Sequence, residues 1–284
     1  MKTKKIDYSI FFIVLSLVIF GMIMISSVSV YPSFKVTSLM VAAGKLAEPN
    51  NYFYLLKNIT HVFLGFIIFA FVVKTPYTFF ERYARQIFIG MLFMLVLVLF
   101  IGSTYNGATG WINVPFLPFS LQPVEFLKPA LIIYFAYFLK RRKSDIPDFR
   151  NGFIPYMLNF GVVMLLLVLQ PDFGSILILT PIVIILFFVG GGNIKHLLVS
   201  FLVFFLFAVS VYALGKHVST GSRNSLSYIT ERIDNFLSDS KTSIQNKSIN
   251  FQTEQGLIAI GSGGFFGLGF GKSIQKFGYL PEVE

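Results

Sequence analysis

Glu125 and Lys128 are the residues whose type and position first suggest chemistry. They lie three apart within an otherwise apolar stretch, with Gln122 one turn earlier. At that spacing they sit on neighbouring faces of one helix. Charges inside an apolar span are costly and point to function by default. The pair suits a polar stripe facing a cavity that holds a charged head group. It equally suits an ion pair, cheaper to bury because it is self-neutralising, that locks its helix to the neighbours. Asp172 follows in Gln170-Pro171-Asp172-Phe173-Gly174. Its spacing predicts a cap on the amides that open a following helix, and a cap can also line a site.

A second group lies near the carboxyl end. Gly261, Gly263, Gly264, Gly267, Gly269 and Gly271 crowd a short stretch that carries Lys272 and Lys276. A nucleotide phosphate loop would need glycine five residues before Gly271, where Phe266 stands, and the dinucleotide pattern is also missing. The glycines instead predict tight turns and close backbone approach. Exposed amides there suit an anion such as pyrophosphate, with the two lysines adding positive charge. Glu282 and Glu284 end the sequence and carry little weight as acid or base by themselves. The histidines, His61, His196 and His217, are far apart, and with no cysteine in the chain no zinc spacing arises.

These residues need a scaffold, and composition says which kind. Of 284 residues 55% are hydrophobic and only 13% charged, against about 25% charged in soluble domains. Charge-free apolar blocks recur, such as Ile10–Ile25, Ile87–Ile101, Leu158–Leu169 and Ile176–Val189. The expectation is an all-α polytopic membrane protein with seven spans: Tyr8–Val30, Ile59–Val73, Ile87–Ile101, Gln122–Leu139, Phe153–Leu169, Phe173–Val189 and Ile194–Leu214. The basic start, Lys2, Lys4 and Lys5, precedes an apolar run longer than a signal-peptide core, so that run is read as the first span.

With the amino terminus inside, twelve Lys/Arg fall in or beside the inner loops and three (Lys35, Lys45, Lys57) in the short outer ones, as the positive-inside rule asks. The net charge of +10 is thereby assigned to loops facing anionic lipid heads, and not to nucleic acid. Residues 215–284 then form one long extracytoplasmic loop. It is polar as far as 250, with Arg223 and Arg232, and Gly-broken and apolar after Phe251, suiting a re-entrant or interfacial segment.

Several segments together resemble the SEDS family (shape, elongation, division and sporulation), the RodA/FtsW membrane glycosyltransferases. They are Asn106-Gly-Ala-Thr-Gly-Trp111-Ile, Leu121-Gln-Pro-Val-Glu125-Phe-Leu-Lys128, Leu169-Gln-Pro-Asp-Phe-Gly174, Glu231-Arg232-Ile233, Gln252-Thr-Glu-Gln255-Gly and Gly269-Phe-Gly-Lys-Ser-Ile-Gln275-Lys276-Phe-Gly-Tyr-Leu-Pro-Glu282. Their order and spacing match along the whole chain, and the ending looks more like the FtsW branch.

The resemblance implies a bacterial cytoplasmic-membrane enzyme, one SEDS domain over 1–284, that polymerises lipid II into glycan strands in division or elongation. Glycosyl transfer would invert the anomeric carbon and release undecaprenyl pyrophosphate. It implies a cavity role for Glu125 and Lys128 and a site role for Asp172, Gln252, Gln255 and Glu282. Arg232, Lys272 and Lys276 would sit near the leaving pyrophosphate. It further implies a class B penicillin-binding transpeptidase as partner and a divalent cation, Mg or Mn. The alternatives are a lipid II flippase and a non-catalytic scaffold of the division machinery.

Two departures stand out. Gly110 occupies the place where the family has Arg before the loop Trp. The carboxylate that the family assigns to catalysis comes just after Leu-Pro-Glu, beyond Glu284, with about three further spans. The expectation is therefore a piece of a ten-span protein, inactive alone.

Overall fold

The computed structural model describes residues 8–105, 108–113, 120–218 and 247–280. They form two compact units. Unit 1 takes its residues from both ends of the chain, up to Lys74 and from Ser240, and unit 2 spans Thr75–Asp239.

Unit 1 holds α1 (Tyr8–Val28), α2 (Val30–Ala42) and α3 (Phe53–Lys74), which pack against one another. The apolar run expected to end at Val30 breaks at Ser29, and Pro32 supplies a reason. Its ring cannot accept the carbonyl of Val28 four residues back, but it is tolerated in the first turn of a new helix. Residues 31–58, expected as a loop, are therefore mostly helical. Ser29, just before α2, and Ser33 and Thr37 within it recur every four residues and are buried. The Ser33 hydroxyl accepts the Tyr54 amide at 3.1 Å, and the Thr37 hydroxyl accepts the Asn50 amide at 2.8 Å. One stripe of hydroxyls thus satisfies donors at and before the opening of α3.

Unit 2 holds α4 (Tyr77–Ile101), three short strands, α5 (Pro123–Arg141), a π-helical turn (Phe149–Phe153), α6 (Ile154–Leu169), α7 (Phe173–Val189) and α8 (Ile194–Val218). Its core runs through Phe88, Leu127, Phe135, Tyr156, Leu167 and Phe187. Phe88 stacks on Tyr134 with centroids 4.1 Å apart, and the Tyr156 hydroxyl donates to the Val183 carbonyl at 2.8 Å. The central helix is α5, packed on both α4 and α7.

Among the described residues, α1, α3, α4 and Phe149–Leu169 are long and apolar enough to cross a membrane by length and composition. The structure extends the expected second span back to Phe53 and the third back to Tyr77. The third was expected to begin after the charges. The helix instead runs through Glu81, Arg82 and Arg85, and Glu81 pairs with Lys140 at the end of α5 at 2.5 Å.

The segment after α4 is also more ordered than the expected loop. β1 (Ser103–Tyr105), β2 (Ala108–Asn113) and β3 (Ser120–Leu121) form an antiparallel sheet in the order β1-β2-β3. Ser103 faces Trp111 and Ile112 faces Leu121, with a register shift after Ser103. In unit 1 a further helix, α9 (Lys247–Gly263), replaces the first half of the expected Gly-broken stretch.

Candidate functional site

The sheet of unit 2 marks the end where its polar residues gather. β3 runs through Gln122 directly into α5, so Glu125 falls in the first turn of that helix. The Thr109 amide of β2 donates to the Gln170 carbonyl at 3.1 Å, which docks the sheet on the turn between α6 and α7. Gln170 is 1% exposed, and its side-chain amide donates to the Leu95 carbonyl of α4 at 2.7 Å. One residue therefore ties β2, α4 and the α6–α7 turn together. The amino ends of α5 and α7, both electropositive, lie at this sheet-bearing end.

Lys128 Nζ and Glu125 Oε1 lie 2.7 Å apart, with the side chains 25% and 54% exposed respectively. The pair is thus open at a helix end and not sealed in the middle of a span. Pro129 follows at once and lacks the N–H that would bond the Glu125 carbonyl, which frees the backbone beside the pair. Glu125 suits the electropositive start of α5, whereas Lys128 gains nothing from it. The Glu125 carboxylate is what fixes the ammonium there.

Asp172 caps α7. Its Oδ1 accepts the Ser175 amide at 3.1 Å and its Oδ2 accepts the Ser175 hydroxyl at 2.7 Å. Both oxygens are engaged and the residue is buried, so its direct work is to hold the turn that carries Gln170. Asp172→Ala is expected to cost about 1 kcal/mol, read as a lower unfolding temperature in detergent, with Asp172→Asn close to wild type. Among the described residues, Gly110 in β2 leaves room for a side chain: an added Cβ would meet only the Gln122 amide, at 3.7 Å.

In unit 1 the glycine cluster splits. Gly261 and Gly263 lie inside α9, while Gly264, Gly267, Gly269 and Gly271 have φ between +57° and +90°. Lys276 is 8% exposed. Its ammonium lies 3.4 Å from the Ser27 hydroxyl of α1, which also accepts the Gly271 amide at 3.1 Å. Lys272 is exposed and Gln255 half-buried. The side chain of Gln252, and all of Arg232 and Glu282, lie outside the described residues. The sequence reading named Lys276 but missed Ser27, Gln170 as a tie, and the hydroxyl stripe of α2. The four-residue spacing of Ser29, Ser33 and Thr37 was legible; the pairing of Ser27 with residues near the far end of the chain was not. Among the described residues no three His, Asp or Glu side chains gather to hold a metal. No step is therefore assigned to the divalent cation expected above.

Residues 8–284 match the FtsW/RodA/SpoVE family model, described as "Cell cycle protein". A "Probable peptidoglycan glycosyltransferase FtsW" of Geobacter sp. (strain M18) is 32% identical over 285 residues, covering 100% of this chain and 70% of its own. The protein of that name from Wigglesworthia glossinidia brevipalpis is 32% identical, covering 98% of this chain and 66% of its own. "Stage V sporulation protein E" of Bacillus subtilis (strain 168) is 30% identical, covering 100% and 70%. The chain thus spans about two thirds of the length of these relatives.

Two solved structures share the fold. The crystal structure of the Thermus thermophilus rod shape determining protein RodA superposes with a TM-score of 0.56 at 24% identity, covering 73% of this chain and 61% of that one. A structure described as "Structural coordination of polymerization and crosslinking by a peptidoglycan synthase complex" superposes with a TM-score of 0.63 at 24% identity, covering 93% and 67%.

Proposed function

We propose, because this chain belongs to the FtsW, RodA and SpoVE family of cell cycle proteins, that it is a peptidoglycan glycosyltransferase of the bacterial cytoplasmic membrane that polymerises lipid II. The observation that carries the reading is the Glu125–Lys128 pair, partly open at the sheet-bearing end of unit 2, in a chain matched over 8–284. The relatives' names favour a glycosyltransferase over the flippase.

In the reaction the 4-hydroxyl oxygen of one lipid II bonds to the anomeric carbon of the growing strand. The bond from that carbon to the pyrophosphate oxygen breaks, inverting the centre. The hydroxyl proton passes to a carboxylate base, which the resemblance puts just past Leu-Pro-Glu and not at Glu125. Glu125 and Lys128 hold the polar head of the substrate. Arg232, Lys272 and Lys276 stabilise the charge gathering on the leaving undecaprenyl pyrophosphate. This reading puts the amino terminus in the cytoplasm and the glycine-rich segment outside. A class B penicillin-binding transpeptidase is the proposed partner, since one structure of this fold is a complex that couples polymerization to crosslinking.

The test is to incubate the purified full-length protein with lipid II and separate the products on a gel. Glycan strands are expected. Lipid II moved between leaflets of a vesicle without polymer would instead establish the flippase. Neither product, with a transpeptidase still bound, would establish the scaffold.

A further inference from the structure

Lys276 presents an unbalanced account of charge. Its side chain is more than nine-tenths buried, and among the described residues no carboxylate lies within ion-pair distance of it. Its ammonium carries three donors. It meets the Ser27 hydroxyl at 3.4 Å and lies 5.2 Å from the centre of the Phe277 ring. A buried ammonium left in that condition is costly unless something anionic completes it.

Ser27 adds a second, independent sign. A hydroxyl has two acceptor lone pairs and one donor. Here the oxygen faces two donors, the Gly271 amide and Lys276 Nζ. With its acceptor capacity taken, its own O–H must point away from both, and among the described residues it has no acceptor. Two kinds of donor, an ammonium and a hydroxyl, thus lie 3.4 Å apart with no described anion to receive them, close enough for one oxyanion to bridge both.

The surrounding backbone is built to hold that place. Gly271 stands at φ +80°, and an added Cβ there would lie 3.7 Å from Lys276 Nζ. Gly278 stands at φ +94°, with Tyr31 of α2 so close that a Cβ would meet the ring at 2.6 Å. Phe277 packs edge-on against the same Tyr31, with centroids 6.5 Å apart. The Gly271–Leu280 segment is thereby pinned to the junction of α1 and α2 on both sides of Lys276.

We infer that Ser27 and Lys276, with the Gly271 turn as backing, form a subsite for a phosphate oxyanion, and that its occupant is the pyrophosphate of a polyprenyl-linked substrate or product. The occupant rests on the glycosyltransferase reading; the anion chemistry does not. Ser27 is the orienting member: it holds the glycine turn and the ammonium in register, while Lys276 supplies the charge.

The experiment uses the full-length protein in nanodiscs of phosphatidylcholine, with bound lipid counted by native mass spectrometry. The probes are undecaprenyl pyrophosphate, undecaprenol, inorganic pyrophosphate and phosphatidylglycerol. Undecaprenyl pyrophosphate is expected to bind more tightly than undecaprenol. Lys276→Met should lower its affinity by about tenfold to a hundredfold, the range for a hydrogen bond to a charged group. Ser27→Ala should lower it several-fold, Lys276→Arg should retain most of it, and undecaprenol binding should not change. Inorganic pyrophosphate should compete with the lipid.

A folding control comes from the same physics. Removing a buried charge that no described carboxylate pairs relieves the protein without ligand, so Lys276→Met should unfold at a higher temperature than wild type while binding less. A purely structural lysine would do the reverse. Wild-type affinity for undecaprenyl pyrophosphate in Lys276→Met and Ser27→Ala would overturn the subsite. Equal displacement by phosphatidylglycerol would overturn the pyrophosphate assignment. Because binding is read without turnover, Lys276-dependent binding alongside a failed polymerisation assay would keep the subsite and remove the reaction. Polymerisation with unaltered binding in both variants would do the opposite.

Discussion

Lys128→Met is expected to slow glycan polymerisation by about a hundredfold, the scale for loss of one preorganised electrostatic group, while the protein still folds and still binds the proposed transpeptidase partner. Glu125→Gln should do nearly as much, because it releases the ammonium that the carboxylate fixes at 2.7 Å. Of the two readings that the sequence left open, the exposure of the pair favours the substrate one. Ion pairs as open as this one contribute about 0–1 kcal/mol to stability, so a structural lock would be a weak one. The charge-swapped double variant, Glu125→Lys with Lys128→Glu, separates the cases. It rebuilds an ion pair but puts each charge in the wrong place for a substrate. No recovery of rate is expected; a swap that restored polymerisation would return the pair to a structural role.

The second large effect concerns stability. Gly152→Ala should cost about 3 kcal/mol, at the upper end for overpacking. A Cβ there would lie 2.2 Å from the Asp145 carbonyl oxygen and 2.7 Å from Ile146 Cα. These are backbone atoms and cannot rotate aside, and Ile146 is fully buried in the core of unit 2. The π-helical turn that carries Gly152 exists where the chain folds back this closely. Gly161→Ala makes the matched control. It lies within α6 with none of the described residues inside 4 Å of the added carbon, so it should gain up to about 1 kcal/mol from helix propensity. Unfolding temperatures in one detergent should move in opposite directions. Equal temperatures for the two variants would remove the close-approach argument.

The long apolar runs made α1, α6 and α7 readable almost to their ends, because lipid selects for the same residues that hydropathy detects. Reading failed where polar groups were satisfied by partners distant in sequence. Glu81 and Arg82 looked like a loop, yet α4 continues through them. Tyr31-Pro32 and Lys35 looked like a loop for the same reason, although the hydroxyl face of α2 accepts the amides of Asn50 and of Tyr54 in α3. Strands of three, six and two residues are too short to leave a pattern. At the site, the spacing of Glu125 and Lys128 and the capping role of Asp172 were legible because they are local. The link between Ser27 and Lys276 was not, since 249 residues separate them.

That separation has a consequence for how the molecule is made. Unit 2 is encoded by one continuous stretch, but unit 1 closes only when its carboxyl-terminal segment reaches α1. At about 5–20 residues per second of translation, the 244 residues between Ser27 and Gly271 take roughly 12–50 s to synthesise. The ribosome thus leaves the first three helices waiting, half-assembled, while the middle of the protein is made and inserted. Unit 1 is thus begun before unit 2 and closed after it.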